Sequence, residues 1–298
     1  MQTLVKAFRP KQWTKNLLVF AAPFFSFSKE IDIWIFTFIG FLSFCLVSSS
    51  VYLINDVIDI NNDRKHPTKR FRPIASGSIS IQNAVLTSSL LLISSLLLAN
   101  LINLGFCIAL SLYFLIQMAY CIKLKNEPIL DIFCISSGFL LRAISGVQAS
   151  NSEFSPWFLL SIGLLALFLA IEKRKAELLN VIKTEIKTRK SLERYSLSLL
   201  KRIEPIVTTS AFMSYSLWAV GPAMNGSQRG MMIVTIPFVL IGIFRYQFIT
   251  DPEERQRRES LRPNVNPEKP EEILLTDKGI LLSIFFWLIT IAYLGYSN

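Results

Sequence analysis

Runs of apolar residues long enough to cross a bilayer as helices alternate along the chain with short polar stretches. The pattern predicts nine spans, at about 15–28, 32–54, 82–101, 103–122, 129–149, 156–171, 205–223, 231–249 and 279–296. The expected fold is all-α: a polytopic membrane protein, one integral domain over residues 1–298. Residues 1–14 read as an amphipathic interfacial entry, with Trp13 at headgroup level. The second span runs into an Asp-rich segment that His66-Pro67 and Arg72-Pro73 bring to an end. The sixth continues into a charged helix, EKRKAELLNVIKTEIKTRKSLERY. Polar loops are expected at about 55–80, 172–204 and 250–278, the last proline-bearing and without apolar period.

Charge gives the arrangement a direction. Nine spans put the termini on opposite sides. Of the 31 Lys and Arg, 28 fall on the N-terminal side of the spans or at their ends there; Lys29 and Arg229 fall on the other, and Arg142 lies inside a span. By the positive-inside rule the N-terminus and the Asp-rich segment are cytoplasmic, in the inner (cytoplasmic) membrane, and the C-terminus is opposite. The net charge of +10 is then a membrane signature; without aromatic interleaving or a soluble basic domain it excludes nucleic acid. Lys6, Arg9, Lys11 and Lys15 precede no small-residue cleavage site, so the first helix is expected to stay. Cys45, Cys107, Cys121 and Cys134 sit singly in apolar runs, the pattern of buried thiols.

The candidate chemistry is concentrated in NDVIDINNDRKHPTKRFRPIASG, from Asn55 to Gly77. At about 100° per residue, Asp56, Asp59 and Asp63 fall within roughly 60° of arc, and Asn55 lies about 40° beyond Asp59. Carboxylates so close repel one another unless a cation sits between them, and hard oxygen ligands with room for water and phosphate suit Mg2+. Asn55, Asp56, Asp59 and Asp63 are therefore the expected metal ligands, although Asp63 can pair instead with Arg64 or Lys65. Arg64, Lys69, Arg70 and Arg72 follow, a cationic loop suited to phosphate oxygens. A metal face followed by such a loop reads as a pyrophosphate site.

Other candidates are more scattered. After the sixth span, Lys173, Glu177 and Asn180 share one helical face, flanked by Arg174 and Lys175; residues 183–190 read as a positive-inside anchor. Arg142 inside a span costs about 2.5–3.5 kcal/mol at a helix centre, so it is expected to face the bundle interior or a wet cavity. Asp131, on the same helix, is too far along the axis to pair with it. An anionic substrate or a carbonyl from another helix is the alternative. Lys11, Lys15, Tyr120 and Lys123 lie at cytoplasmic span ends where they serve as headgroup anchors or phosphate contacts. His66, beside Pro67, reads as a loop residue.

These residues resemble the UbiA superfamily of membrane prenyltransferases: NDVIDINNDRKHPTKRFRPIASG is similar to its first aspartate-rich motif, and the nine-span plan to its fold. The likeness is closer to its decaprenyl-phosphate phosphoribosyltransferase branch, through RPKQWTKNLLVFAAP, SSGFLLRAISG, EKRKAEL and FRYQF. The wider superfamily carries a second aspartate-rich motif where this chain reads EKRKAEL, basic where acids are expected. That change suits direct cation contact with phosphate.

The resemblance implies Mg-dependent transfer of 5-phosphoribose from phosphoribosyl pyrophosphate to a polyprenyl phosphate lipid. Asp56, Asp59, Lys173 and Arg174 would be catalytic; Lys11, Lys15, Arg64, Lys69, Arg70, Arg72, Tyr120, Lys123, Arg142 and Glu177 would bind substrate. A homo-oligomer is left open. The rivals are transfer of a prenyl group from prenyl pyrophosphate to an aromatic acceptor, and a non-catalytic lipid-binding or transport protein.

Overall fold

The computed structural model describes all residues except 1, 153–154, 185–189, 223–225, 228–230, 255–256, 258–269 and 297–298. Arg229 and about half of the polar 250–278 segment lie outside the described residues, as does 185–189 of the expected anchor. Every regular element described is helical. Contacts divide the chain into two compact units: Met1–Lys125 with Ser137–Phe154, and Asn126–Ser136 with Ser155–Asn298.

In the first unit, α1 (Gln2–Phe8) leads into a 3-10 helix, Pro10–Phe20, and a short α2, Ala21–Phe25. The first apolar run is thus a broken element, 3-10 as far as Phe20 and α from Ala21 to Phe25, where the hydrophobic pattern predicts a span. Then come α3 (Ile31–Ile58), α4 (Ile60–Lys65), a 3-10 turn at Lys69–Phe71, α5 (Ile81–Asn100) and α6 (Leu104–Ile122). The helix α7 (Leu130–Ser150) begins in the second unit and ends in the first. Side-chain oxygens of Ser80 and Asn103 cap α5 and α6, accepting from Asn83 N at 3.2 Å and Phe106 N at 2.8 Å. Serines let α3 and α5 approach closely: Ser50 and Ser88 hydroxyls meet at 2.8 Å, and Ser43 Oγ donates to the Ser95 carbonyl at 2.7 Å. A core of Val19, Phe44, Val47, Phe106, Leu110 and Tyr113 fills the interior.

In the second unit, α8 (Pro156–Thr184) carries the apolar run straight into its charged continuation. After α9 (Lys190–Glu193), α10 (Leu197–Val220) begins eight residues before the predicted span and contains Pro205. A 3-10 turn, Met232–Thr235, precedes α11 (Ile236–Thr250); α12 (Pro270–Thr276) and α13 (Lys278–Tyr296) close the chain. Residues 270–276, expected within a solvated loop, are therefore helical, because Ile273 buries against Phe168 and Tyr246.

Seven of the described helices are long and apolar enough to cross a membrane, as in an integral membrane protein. Their faces carry exposed Ile, Leu and Phe, such as Leu86, Leu104, Phe244 and Phe285, which water would not tolerate in such number. The four cysteines are free; Cys45, Cys121 and Cys134 are buried.

Candidate active site

The α3 ladder is interrupted at Asp59, whose φ of −88° and ψ of 4° end α3 before α4 starts. Asp56 closes the long helix, Asp63 sits on the short one, and Asp59 occupies the joint. Asp56 and Asp63 are only 2% and 4% exposed, yet each meets a cation. Arg72 Nη1 donates to Asp56 Oδ1 at 3.1 Å and to Asp63 Oδ2 at 2.7 Å, one nitrogen shared by two carboxylates. Arg9 also donates to Asp56 Oδ1, its guanidinium 4.8 Å from the centre of the Tyr52 ring. Asp59 accepts from Lys125 Nζ at 2.5 Å.

The expected single face of three carboxylates thus becomes a pair held by Arg72 and Arg9, with Asp59 held by Lys125. Asp63 pairs with Arg72, not with its neighbours Arg64 or Lys65. Among the described residues no three His, Cys, Asp or Glu are drawn together into a ready metal cluster. The donor set nonetheless fits a small divalent cation. A positive group already sits between Asp56 and Asp63, and the second oxygens of Asp56, Asp59 and Asp63 accept no hydrogen bond among the described residues. A cleft of about 200 Å³ opens beside Asp56, lined by Lys6, Arg9, Thr68, Phe71 and Arg72.

The rest of the cationic loop is divided. Arg64 Nε donates to the Ala75 carbonyl at 3.2 Å, tying α4 to the loop's far end. The Arg70 guanidinium lies 4.8 Å over the neighbouring Phe71 ring, and Lys69 starts the 3-10 turn. His66 Nδ1 accepts from the backbone N–H of Thr68 at 3.2 Å, a turn cap as expected of a loop residue. Gly77, with φ +81°, ends the loop in a conformation that glycine adopts without strain. Lys11 and Lys123 are exposed, Lys15 and Tyr120 half-buried, and Asn55 half-buried beside Asp56. Arg9 and Lys125 are the residues that sequence reasoning passed over. Both lay in quoted or neighbouring stretches, but no local period connects either to the Asp segment.

Trp13, expected at the headgroups, turns its indole N–H into the protein, donating to Ser49 Oγ at 3.1 Å. Arg142 is 5% exposed and faces the interior, as expected. Its Nε donates to Asn16 Oδ1 at 2.8 Å, Nη2 to Tyr113 Oη at 2.8 Å and Nη1 to the Gly138 carbonyl of its own helix at 2.7 Å.

In the second unit EKRKAEL is internally neutralised. Arg174 is fully buried, donating from Nε to Asp131 Oδ2 at 2.7 Å and from Nη1 to Glu177. The anion expected to be a substrate phosphate is met there by two carboxylates. Lys175 Nζ bridges Glu172 at 2.7 Å and Glu204 at 2.6 Å, and Gln247 of FRYQF donates to Glu204 at 2.9 Å. Tyr195 completes the Asp131 cluster, donating to Asp131 Oδ1 at 2.7 Å and accepting from Ile129 N at 2.6 Å. Burial, reinforced by the hydrogen bond to that carboxylate, pushes the Tyr195 hydroxyl above the usual phenol range. Lys173 is half-buried on α8.

Residues 17–265 match the family model described as the UbiA prenyltransferase family. A decaprenyl-phosphate phosphoribosyltransferase of Mycolicibacterium smegmatis is 38% identical over 99% of this chain and 93% of its own length. One of Corynebacterium glutamicum is 36% identical over 98% of this chain and 86% of its own. A UbiA homolog from Archaeoglobus fulgidus, solved bound to DMAPP and Mg2+, superposes with a TM-score of 0.70 at 20% identity, covering 99% of this chain and 98% of that one. The family model spans most of the chain and relatives of 36–38% identity cover nearly all of it: the chain belongs to the UbiA prenyltransferase family.

Proposed function

We propose that this protein transfers the 5-phosphoribosyl group of phosphoribosyl pyrophosphate to a polyprenyl phosphate, releasing pyrophosphate. The observation that carries the reading is the pair of buried carboxylates, Asp56 and Asp63, cross-linked by Arg72 beside a cationic cleft, in a chain related over its whole length to decaprenyl-phosphate phosphoribosyltransferases. A site already rich in Arg and Lys suits reactants that are all phosphate esters.

Asp56, Asp63 and Asp59, with Asn55 beside them, would hold Mg2+. Bound there, the ion would neutralise charge building on the departing pyrophosphate. Arg72 and Arg9 would exchange carboxylate oxygens for phosphate oxygens as the donor enters, and Lys125 would do so from Asp59. Lys69, Arg70, Lys11, Lys15 and Lys123 are proposed to steer anions toward the cleft, and Tyr120 to contact a substrate phosphate. Lys173 is proposed to contact a substrate phosphate. Arg64, Arg142, Arg174 and Glu177 would act through the groups they already hold.

The lipid phosphate oxygen attacks the anomeric carbon of ribose while the bond to pyrophosphate breaks. A phosphate monoester with second pKa near 6 is largely dianionic at neutral pH, so the attacking oxygen needs no general base. The chain's work is to bring two anions together and hold the leaving group. The cationic face is proposed to be cytoplasmic, with the prenyl tail in lipid.

Purified protein in lipid nanodiscs, given labelled phosphoribosyl pyrophosphate and polyprenyl phosphate, should form labelled lipid and lose that activity in excess chelator. Turnover of a prenyl pyrophosphate with an aromatic acceptor, and no labelled lipid, would instead favour the prenyltransferase reading. Binding without any bond-making would favour a transporter.

A further inference from the structure

Arg142 is a buried guanidinium on a membrane-spanning helix, and among the described residues it has no carboxylate partner. Its charge is met by neutral groups alone: the oxygens of Asn16, Tyr113 and Gly138, and the ring faces of Phe44, Tyr113 and Phe139 at 5.8, 4.7 and 5.7 Å. An intramembrane cation kept at such cost needs a use. Arg142 does not reach Asp56 itself. Arg142 reaches α3 at the level of Ser48, through Asn16, and eight residues of helix place Asp56 roughly 12 Å farther on.

What Arg142 does hold is the N-terminal 3-10 segment. An eleven-residue 3-10 helix is far longer than the three or four residues at which its hydrogen-bond geometry usually gives out, so contacts from outside must keep it. They line one side of it. The Phe8 carbonyl lies 3.2 Å from Ser49 Oγ, and Trp13 Nε1 donates to the same hydroxyl at 3.1 Å. Asn16, fully buried, donates to Ser48 Oγ at 3.3 Å while accepting from Arg142. A turn later the Val19 carbonyl presses on α7 so closely that any side chain at position 146 would collide with it, which is why a glycine stands there. At the open end of this strap, Arg9 takes a left-handed φ of +55° before Pro10 and reaches Asp56.

We infer that Arg142 is a positioning residue: through Asn16 it locks the 3-10 strap on α3, and the strap sets Arg9 on Asp56, where Arg9 competes with a divalent cation and then receives phosphate. The inference rests on the reading of Asp56 as a metal carboxylate. Losing the lock should have two opposite effects, tighter metal binding and weaker donor binding, which general destabilisation does not produce.

The test uses the full chain in nanodiscs, with Mn2+ titrated by electron paramagnetic resonance and strap protection followed by hydrogen exchange. Arg9→Gln should bind Mn2+ about three- to tenfold tighter by removing a competing, partly exposed positive charge. Arg142→Gln should tighten binding by a similar factor, and the double variant should go no further, because both changes remove the same contact. Residues 10–20 should lose exchange protection in Arg142→Gln and Asn16→Ala but keep it in Arg9→Gln. A folded Arg142→Gln with wild-type Mn2+ affinity, or additive effects in the double variant, overturns the inference. If Arg142→Gln does not fold, Asn16→Ala takes its place in both measurements. If wild type binds no Mn2+, the metal reading fails on its own, and a strap that stays protected without Arg142 overturns the lock independently.

Discussion

Asp56 and Asp63 share one nitrogen, Nη1 of Arg72, although a break in the helix separates them. Arg72 is about a quarter exposed while both carboxylates are buried, so the cation is the part of the triplet that an incoming ligand can move. Asp56→Asn should therefore remove metal binding and lower phosphoribosyl transfer at least about 100-fold, since it deletes a ground-state ligand and transition-state charge control together. Asp63→Asn should cost less, about tenfold, because Asp56 keeps Arg9. Initial rates across a Mg2+ series separate the two: the second variant should recover at high Mg2+ and the first should not.

The cationic loop should divide by what each residue already holds. Arg72→Ala removes the shared nitrogen and should raise the donor KM and lower kcat, together costing about 2–4 kcal/mol in kcat/KM. Arg70→Ala, whose guanidinium rests on Phe71, should stay within about threefold of wild type. Equal losses at both positions would mean that the loop acts as a diffuse positive field.

Lys123 and Lys125 offer the same contrast at closer range. Lys123 ends α6 and points to solvent; Lys125, two residues on in a 3-10 turn, reaches Asp59. Lys125→Ala should raise the donor KM about tenfold, and Lys123→Ala should leave it near wild type. A donor titration at fixed lipid phosphate decides this.

That contrast marks the limit of what the amino-acid order reveals. The apolar runs placed most helices within a few residues, because in lipid every backbone polar group must be satisfied inside its own element. The same runs do not distinguish 3-10 from α, since a run apolar on every side carries no period, and the first run proved part 3-10 and part α. The acidic segment stood out because Asn55, Asp56, Asp59 and Asp63 lie within nine residues and fit one helical period; the break at Asp59 that divides them has no such local signal. Arg9 and Lys125 did not stand out: they reach Asp56 and Asp59 across 47 and 66 residues, a closeness that only packing creates. Arg174 misled for the opposite reason. A basic residue in a motif usually rich in acids suggests an external anion, and the anion proved to be Asp131, 43 positions away.

The Arg174 cluster yields a prediction that separates support from chemistry. Arg174 and Asp131 are both fully buried, so Asp131→Asn leaves a guanidinium short of charge and should cost about 3–5 kcal/mol, read as a large drop in thermal midpoint. Replacing both, Arg174→Met with Asp131→Leu, should recover much of that loss. If Arg174 only positions α8, activity should return with stability; a stable double variant that is inactive would make Arg174 a direct phosphate ligand. Tyr195→Phe removes a hydrogen bond to the same carboxylate and should cost about 1 kcal/mol at neutral pH. The pH dependence has a fixed sign. Because burial and Asp131 raise the Tyr195 hydroxyl above its unfolded value near 10, its contribution is fully present below about pH 10 and is lost as pH rises toward the folded value. Midpoints measured from pH 7 to pH 11 should therefore fall faster above pH 10 for wild type than for Tyr195→Phe, and parallel curves would show that the hydroxyl is not held by Asp131.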